Sequence, residues 1–213
     1  MLFALDHTSS FPPVDRAEPD GLLAIGGTLS TERLLTAYRS GIFPWYEGDT
    51  PLWWCPDPRF VLFPDALKVS KSMKTVLRRG TFTFTTDRDF SSVIRACKQT
   101  PRRDQDGTWI TDEVERAYTE LHRLGYAHSA EAWQDGVLVG GLYGIRLGKV
   151  FFGESMFSHV SNASKFAFIS YVQHLVTEGV ALIDCQVYTA YLESLGAHMI
   201  PRAEFIARLR EAL

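Results

Sequence analysis

Apolar positions repeat along this chain with two periods, near 3.6 and near 2, and the changes between them mark out its elements. After Ser30 or Thr31, the residues Leu34, Leu35 and Tyr38 recur at helical spacing and Gly41 stops the run, which predicts a helix. Ser70 caps a second, short helix that Gly80 closes. TFTFTT, 81–86, alternates Phe and Thr and reads as a half-buried strand. A helix is expected around 89–99. Thr111 opens the next, with Asp112 and Glu113 in its first turn, an apolar face of Val114, Ala117, Tyr118, Leu121 and Leu124, and a stop at Gly125. Asp135-Gly136 is a hairpin signal between HSAEAW and VLVGGLYGI, and Gly148-Lys149 turns the chain again. The stretch 128–154 therefore reads as three antiparallel strands. Asn162 caps a helix to about Glu178, ALIDCQV (181–187) is a strand, and Pro201 fits the first position of a final helix.

The stretch before this regular pattern differs in composition. It is rich in Pro, Gly and Trp, and PLWWCPDPR (51–59) is loop-like or extended. Residues 1–60 are expected to form a small N-terminal domain, and 61–213 a domain whose mixed sheet is flanked by helices. Of the 213 residues, 46% are hydrophobic and 22% charged, enough for a substantial core. A net charge of −3 argues against a large, non-specific nucleic-acid surface. Cys55, Cys97 and Cys185 are scattered, odd in number and in no metal-ligand spacing, so neither a disulfide framework nor a metal site is expected. With no signal-peptide pattern and no run of ~18 apolar residues, a cytoplasmic, membrane-free protein is expected.

Several groups of residues carry candidate chemistry, each beside a plainer reading. In LIDCQV, alternation puts Leu182, Asp184 and Gln186 on one face and Ile183, Cys185 and Val187 on the other. A polar pair on a central strand needs partners or a ligand; an edge strand with a wet face is the alternative. Glu154, at an expected strand end in FFGESMFSHVSNASK, can hold an ammonium group or take its proton, or be a solvated turn acid. Residues 102–110, RRDQDGTWI, read either as a loop closing over a ligand or as a surface loop anchored by Trp109. Trp53 and Trp54 suit a small core, and Trp45 suits either a core or a ligand. No acid occurs from 66 to 86, a run that holds Lys68, Lys71, Lys74, Arg78 and Arg79. Positions 71, 74 and 78 share a helix face, suited to phosphates or simply to solvent. Walker, GxGxxG-before-helix, HExxH and GxSxG patterns are absent.

GLLAIGGTLSTERLLTAYRSGIFPWY (21–46), PLWWCPDPR, GTWIT (107–111), HSAEAW, LVGGLYG, FFGESMFSHVSNASK, LIDCQV and SLGAHMIPR (194–202) resemble, in that order, the leucyl/phenylalanyl-tRNA–protein transferase family. The resemblance implies an α+β fold: a small N-terminal domain followed by a catalytic domain like the GNAT acyltransferases. It implies transfer of Leu or Phe from Leu-tRNA or Phe-tRNA to proteins that begin with Arg or Lys, tagging them for N-end-rule degradation. The aminoacyl ester is already activated, so no cofactor or metal is expected, and a monomer is expected to suffice. Asp184, Gln186 and Glu154 become the catalytic set: Glu154 binds an ammonium group, Gln186 orients the amine or the ester, and Asp184 orients Gln186 or assists proton removal. Leu142, Phe151, Tyr171 and Ile183 become the aminoacyl pocket, and Trp45, Trp109 and Tyr118 surround the terminal adenosine or the aminoacyl group. Strict alternation opposes Phe151 to Glu154, so a bend at Gly153 is needed for both to serve one site. Tyr191 departs from the family, whose members commonly carry His there. Two rival readings are a CoA-dependent acetyltransferase, which would need a glycine-rich turn that is missing, and a non-catalytic RNA-binding module built on the 68–79 stripe.

Overall fold

The computed structural model describes residues 2–100 and 108–213. A four-stranded sheet contains β1 (Phe3–Leu5), β2 (Leu22–Gly26), β3 (Phe43–Pro44) and β4 (Leu52–Trp54), in the order β1-β2-β4-β3. Helix α1 (Thr31–Arg39) connects β2 to β3. The seven-stranded sheet contains β5 (Arg59–Leu62), β6 (Thr83–Thr86), β7 (Ala127–Gln134), β8 (Val137–Leu147), β9 (Val150–Ser158), β10 (Leu182–Gln186) and β11 (His198–Ile200). Its order is β11-β5-β10-β9-β8-β7-β6, and all its pairs are antiparallel except β9 with β10. The fold is α+β with a mixed, mostly antiparallel sheet.

Helices cover both faces of the large sheet. One apolar core joins α1, α3 (Phe90–Gln99), α4 (Asp112–Arg123) and α7 (Arg202–Ala212) to the small sheet and one face of the large one. A second core lies under α2 (Lys71–Arg79), α5 (Ala163–Thr177) and the turn after α6 (Ala190–Ser194). Trp53 is a fully buried member of the first core, as its sequence context suggests. None of the described helices is long and apolar enough to cross a membrane.

Local signals hold well. The Ser30, Ser70, Asp89 and Thr111 side chains accept from backbone N–H groups three residues on, each stabilising a helix start by about 1 kcal/mol. Gly80 closes α2 at φ +65°. Four expectations need correction. Asn162 precedes α5 in a left-handed conformation, and its side chain makes no cap. The Ser158 hydroxyl accepts from Ser164 N in its place, at 3.2 Å. Pro201 stands one residue before α7, not inside it. Leu124 is exposed beyond the end of α4. Strand β9 runs on to Ser158, so Glu154 lies inside a strand and not at its end.

Candidate active site

Strands β9 and β10 run side by side only as far as Phe152 and Asp184, and then part. Each breaks its alternation at that place. Tyr143 pairs with Ser155 and Gly144 with Gly153, which leaves Glu154 as the extra residue of a bulge. Asp184 pairs with Val61 and Gln186 with Phe60, so Cys185 is the extra residue of a second bulge. The first bulge reverses the facing of β9: Phe152 and Phe157, five apart, share one core, while Phe151 and Met156 face the other. The expected opposition of Phe151 and Glu154 stands: Phe151 lies in the second core, and Glu154 meets Tyr38 and Tyr118, which belong to the first. Gly144, opposite the bulge, has no room for a side chain: a Cβ there would collide with the Phe152 carbonyl and the Phe151 ring.

The polar groups of the site converge where the strands part. Gln186 Nε2 donates to Glu154 Oε1 at 2.9 Å. Tyr38 of α1 donates to the same oxygen at 2.8 Å, and Tyr118 of α4 to Oε2 at 3.1 Å. The two tyrosine hydroxyls are also in hydrogen-bond contact with each other. Burial pushes the Glu154 carboxyl up to about 7, against the donors that hold it down. Burial, and next the Glu154 charge, raise both phenols well above their ordinary value, so they stay protonated.

Asp184 is fully buried in a two-point ion pair: Arg59 Nε donates to Oδ1 at 2.8 Å and Nη2 to Oδ2 at 2.6 Å. The guanidinium lies between the rings of Phe43 and Phe205, 4.7 and 4.6 Å from their centroids. Asp184 Oδ1 also accepts the Gln186 backbone N–H at 2.9 Å. Gln186 has φ +64°, unusual for a residue other than glycine, and this contact helps to hold it there. The expected shared face of Leu182, Asp184 and Gln186 therefore fails at its last member. Asp184 is engaged by its ion pair, which favours the positioning half of its expected role over proton removal.

A cavity of about 340 Å³ opens between the parted strands. Leu142, Ile183, Met156, Phe168, Tyr191 and Leu192 give its apolar wall, and Glu154 and Gln186 its polar end. Burial raises the Cys185 thiol, so this lining residue stays protonated. Of the expected pocket residues, Leu142 and Ile183 line the cavity. Phe151 and Tyr171 pack edge-on to each other in the core and are not among its lining residues; Phe168 and Met156 are. Trp109 is 3% exposed with its ring edge-on to Tyr118, so it presents no free face to an adenine. Trp45 is exposed beside Trp54 and is not part of the lining. Thr100 reaches the cavity edge, but Arg102–Gly107 of the expected loop lie outside the described residues.

Lys68, Lys71, Lys74, Arg78 and Arg79 are all exposed. No ion pair to an acid is found for them among the described residues. Two side chains that meet the polar groups of the site escaped the sequence reading. Tyr38 counted only as apolar helix face. Arg59 carried a signal, since a charged residue opens the otherwise apolar strand RFVL.

The cavity thus offers room for an apolar group beside a carboxylate and an amide that can hydrogen-bond a nitrogen. The chain belongs to the leucyl/phenylalanyl-tRNA protein transferase family. The family's model matches residues 61–210, and the model of its N-terminal domain matches 27–57. The leucyl/phenylalanyl-tRNA–protein transferase of Nitrosospira multiformis is 58% identical over 99% of this chain and 92% of its own length. That of Azotobacter vinelandii is 58% identical over 96% and 92%. A GCN5-related N-acetyltransferase from Kribbella flavida aligns with a TM-score of 0.40 and 12% identity, over 79% of this chain and 59% of its own, too distant a likeness to assign a reaction.

Proposed function

We propose that this enzyme moves Leu or Phe from Leu-tRNA or Phe-tRNA to the N-terminal α-amino group of proteins that begin with Arg or Lys. Membership of the transferase family along nearly the whole chain carries the reading. The cavity fits it chemically. Its apolar wall suits a leucyl or phenylalanyl side chain, with Phe168 and Met156 added to Leu142 and Ile183. Phe151 and Tyr171 support that wall from the core.

At the polar end, Gln186 donates one amide hydrogen to Glu154, which leaves its carbonyl oxygen and second hydrogen for the acceptor amine and the ester. Glu154 Oε1 already accepts two hydrogen bonds and Oε2 one, so one lone pair remains for an ammonium group. Arg59 and Asp184 hold Gln186 in place. The ester brings its own activation energy, so catalysis rests on positioning and proton handling. The stripe of Lys71, Lys74, Arg78 and Arg79 on α2, with Lys68 just before it, is suited to tRNA phosphates. Trp45, Trp109 and Tyr118 surround the terminal adenosine only if the bound state uncovers Trp109. Charged tRNA as donor is in keeping with a cytoplasmic enzyme, and one chain supplies every group described at the site.

The test uses purified protein, radiolabelled Phe-tRNA and two peptides, one with a free N-terminal Arg and one with that amine acetylated. Label moving only to the free peptide is the expected result. No transfer to either peptide, from Phe-tRNA or Leu-tRNA, rejects the reading.

A further inference from the structure

We propose that Glu154, Tyr38 and Tyr118 form a proton-accepting ring that takes one proton from the acceptor's α-ammonium group before its nitrogen attacks the ester. This deepens the aminoacyl-transfer reading and rests on it. The three side chains form a closed triangle: Tyr38 to Oε1 of Glu154, Tyr118 to Oε2, and the two phenol oxygens to each other. With Glu154 ionised, two phenol hydrogens serve three edges, and one edge lacks a proton. A proton arriving on Oε2 supplies the third hydrogen once Tyr118 turns its O–H from Oε2 to the Tyr38 oxygen and the Oε2 proton turns toward the Tyr118 oxygen, and each group then donates once around the ring. The triangle is thus completed by one added proton.

Position and surroundings agree. Glu154 lines the cavity beside Gln186, and its unused lone pair is on Oε2. Burial places its carboxyl about 7, close to an ordinary α-amine at about 7.7–8.0, so a proton passes between them at little cost. The charged and titratable neighbours are Asp184 on β10, which pushes Glu154 further up, Arg59 on β5, which counters Asp184 and also faces Glu154, and Tyr143 on β8, which faces Tyr118.

The step balances as follows. The bound R–NH3+ gives one proton to the Glu154 carboxylate and becomes R–NH2. Its nitrogen forms a bond to the ester carbon. The carbon–oxygen bond to the terminal ribose breaks, and a second nitrogen-bound proton leaves on that ribose oxygen. The products are an amide, a tRNA with a free hydroxyl, and one proton that Glu154 returns to solvent.

Single-turnover transfer from Phe-tRNA to saturating Arg-initiated peptide, followed from about pH 5.5 to about pH 8.5, tests this. The wild-type rate should rise through about pH 7. Tyr118→Phe and Tyr38→Phe each remove a donor to the carboxylate, which raises its pKa. Their rising limbs should therefore move to higher pH, with a loss of roughly 10-fold at about pH 6.5 and near-recovery at about pH 8.5. Glu154→Gln should be about 100-fold slower at pH 7. A tyrosine that is merely structural lowers the melting temperature without moving the limb. Limbs that stay put in both tyrosine variants overturn the ring, as does a wild-type rate in Glu154→Gln. No transfer by the wild-type enzyme overturns the parent reading, and the ring with it.

Discussion

The edge and the middle of the large sheet obey different rules. At the edge, β6 pairs with β7 in unbroken register from Thr83 to Thr86. Phe82 and Phe84 point into one core, and Thr85 on the other side donates to Glu131. Simple alternation describes that strand. In the middle, β9 and β10 each carry a bulge, and both bulges fall where the two strands separate. Most of the polar groups proposed for catalysis stand at those irregularities. The difference shows how a fully covered strand can carry polar function: the extra residue leaves the alternating pattern, and its side chain finds partners that regular pleating would deny it.

The strongest way to break the middle is Arg59→Met. It leaves Asp184 buried without its cation, which should cost about 3–5 kcal/mol in urea unfolding, together with the hold on Gln186. Little change in stability would mean that the pair contributes nothing to the bulge. Next comes the cavity wall. Phe168→Ala should weaken use of Phe-tRNA by roughly 10-fold in kcat/KM, while Tyr171→Phe, one layer further back, should leave it nearly unchanged. Equal effects would return Tyr171 to the wall. A smaller effect is expected on the surface stripe. Lys71→Ala with Lys74→Ala should flatten the salt dependence of tRNA binding by a log–log slope of about 1 to 2. An unaltered slope would assign the stripe to solvent. At the edge, Thr83→Ala should stay within about 0.5 kcal/mol of wild type in thermal unfolding, with normal transfer. A loss of transfer there would erase the contrast between edge and middle.

Most of the element plan was legible in the chain. Ser70 and Gly80 bracket α2, Thr111 starts α4, and Asp135-Gly136 makes the β7–β8 turn, because caps and turns are decided by neighbours a few residues away. Leu142 and Ile183, two of the residues assigned to the aminoacyl pocket, line the cavity. Asn162 misled, since its cap position came from residue type alone and the Ser158 hydroxyl took the amide.

By itself, the sequence determined the periodicities, the helix starts, the cationic run on α2, and a motif order specific enough to name a family. Only the tertiary structure decided that Glu154 sits in a bulge, that Arg59 neutralises Asp184 from 125 positions away, and that Tyr38 and Tyr118 meet at one carboxylate. The physical reason is range. Caps, turns and pleats are settled between near neighbours, whereas a buried charge or lone pair is satisfied by whatever side chain the packed fold brings beside it, however distant in the chain.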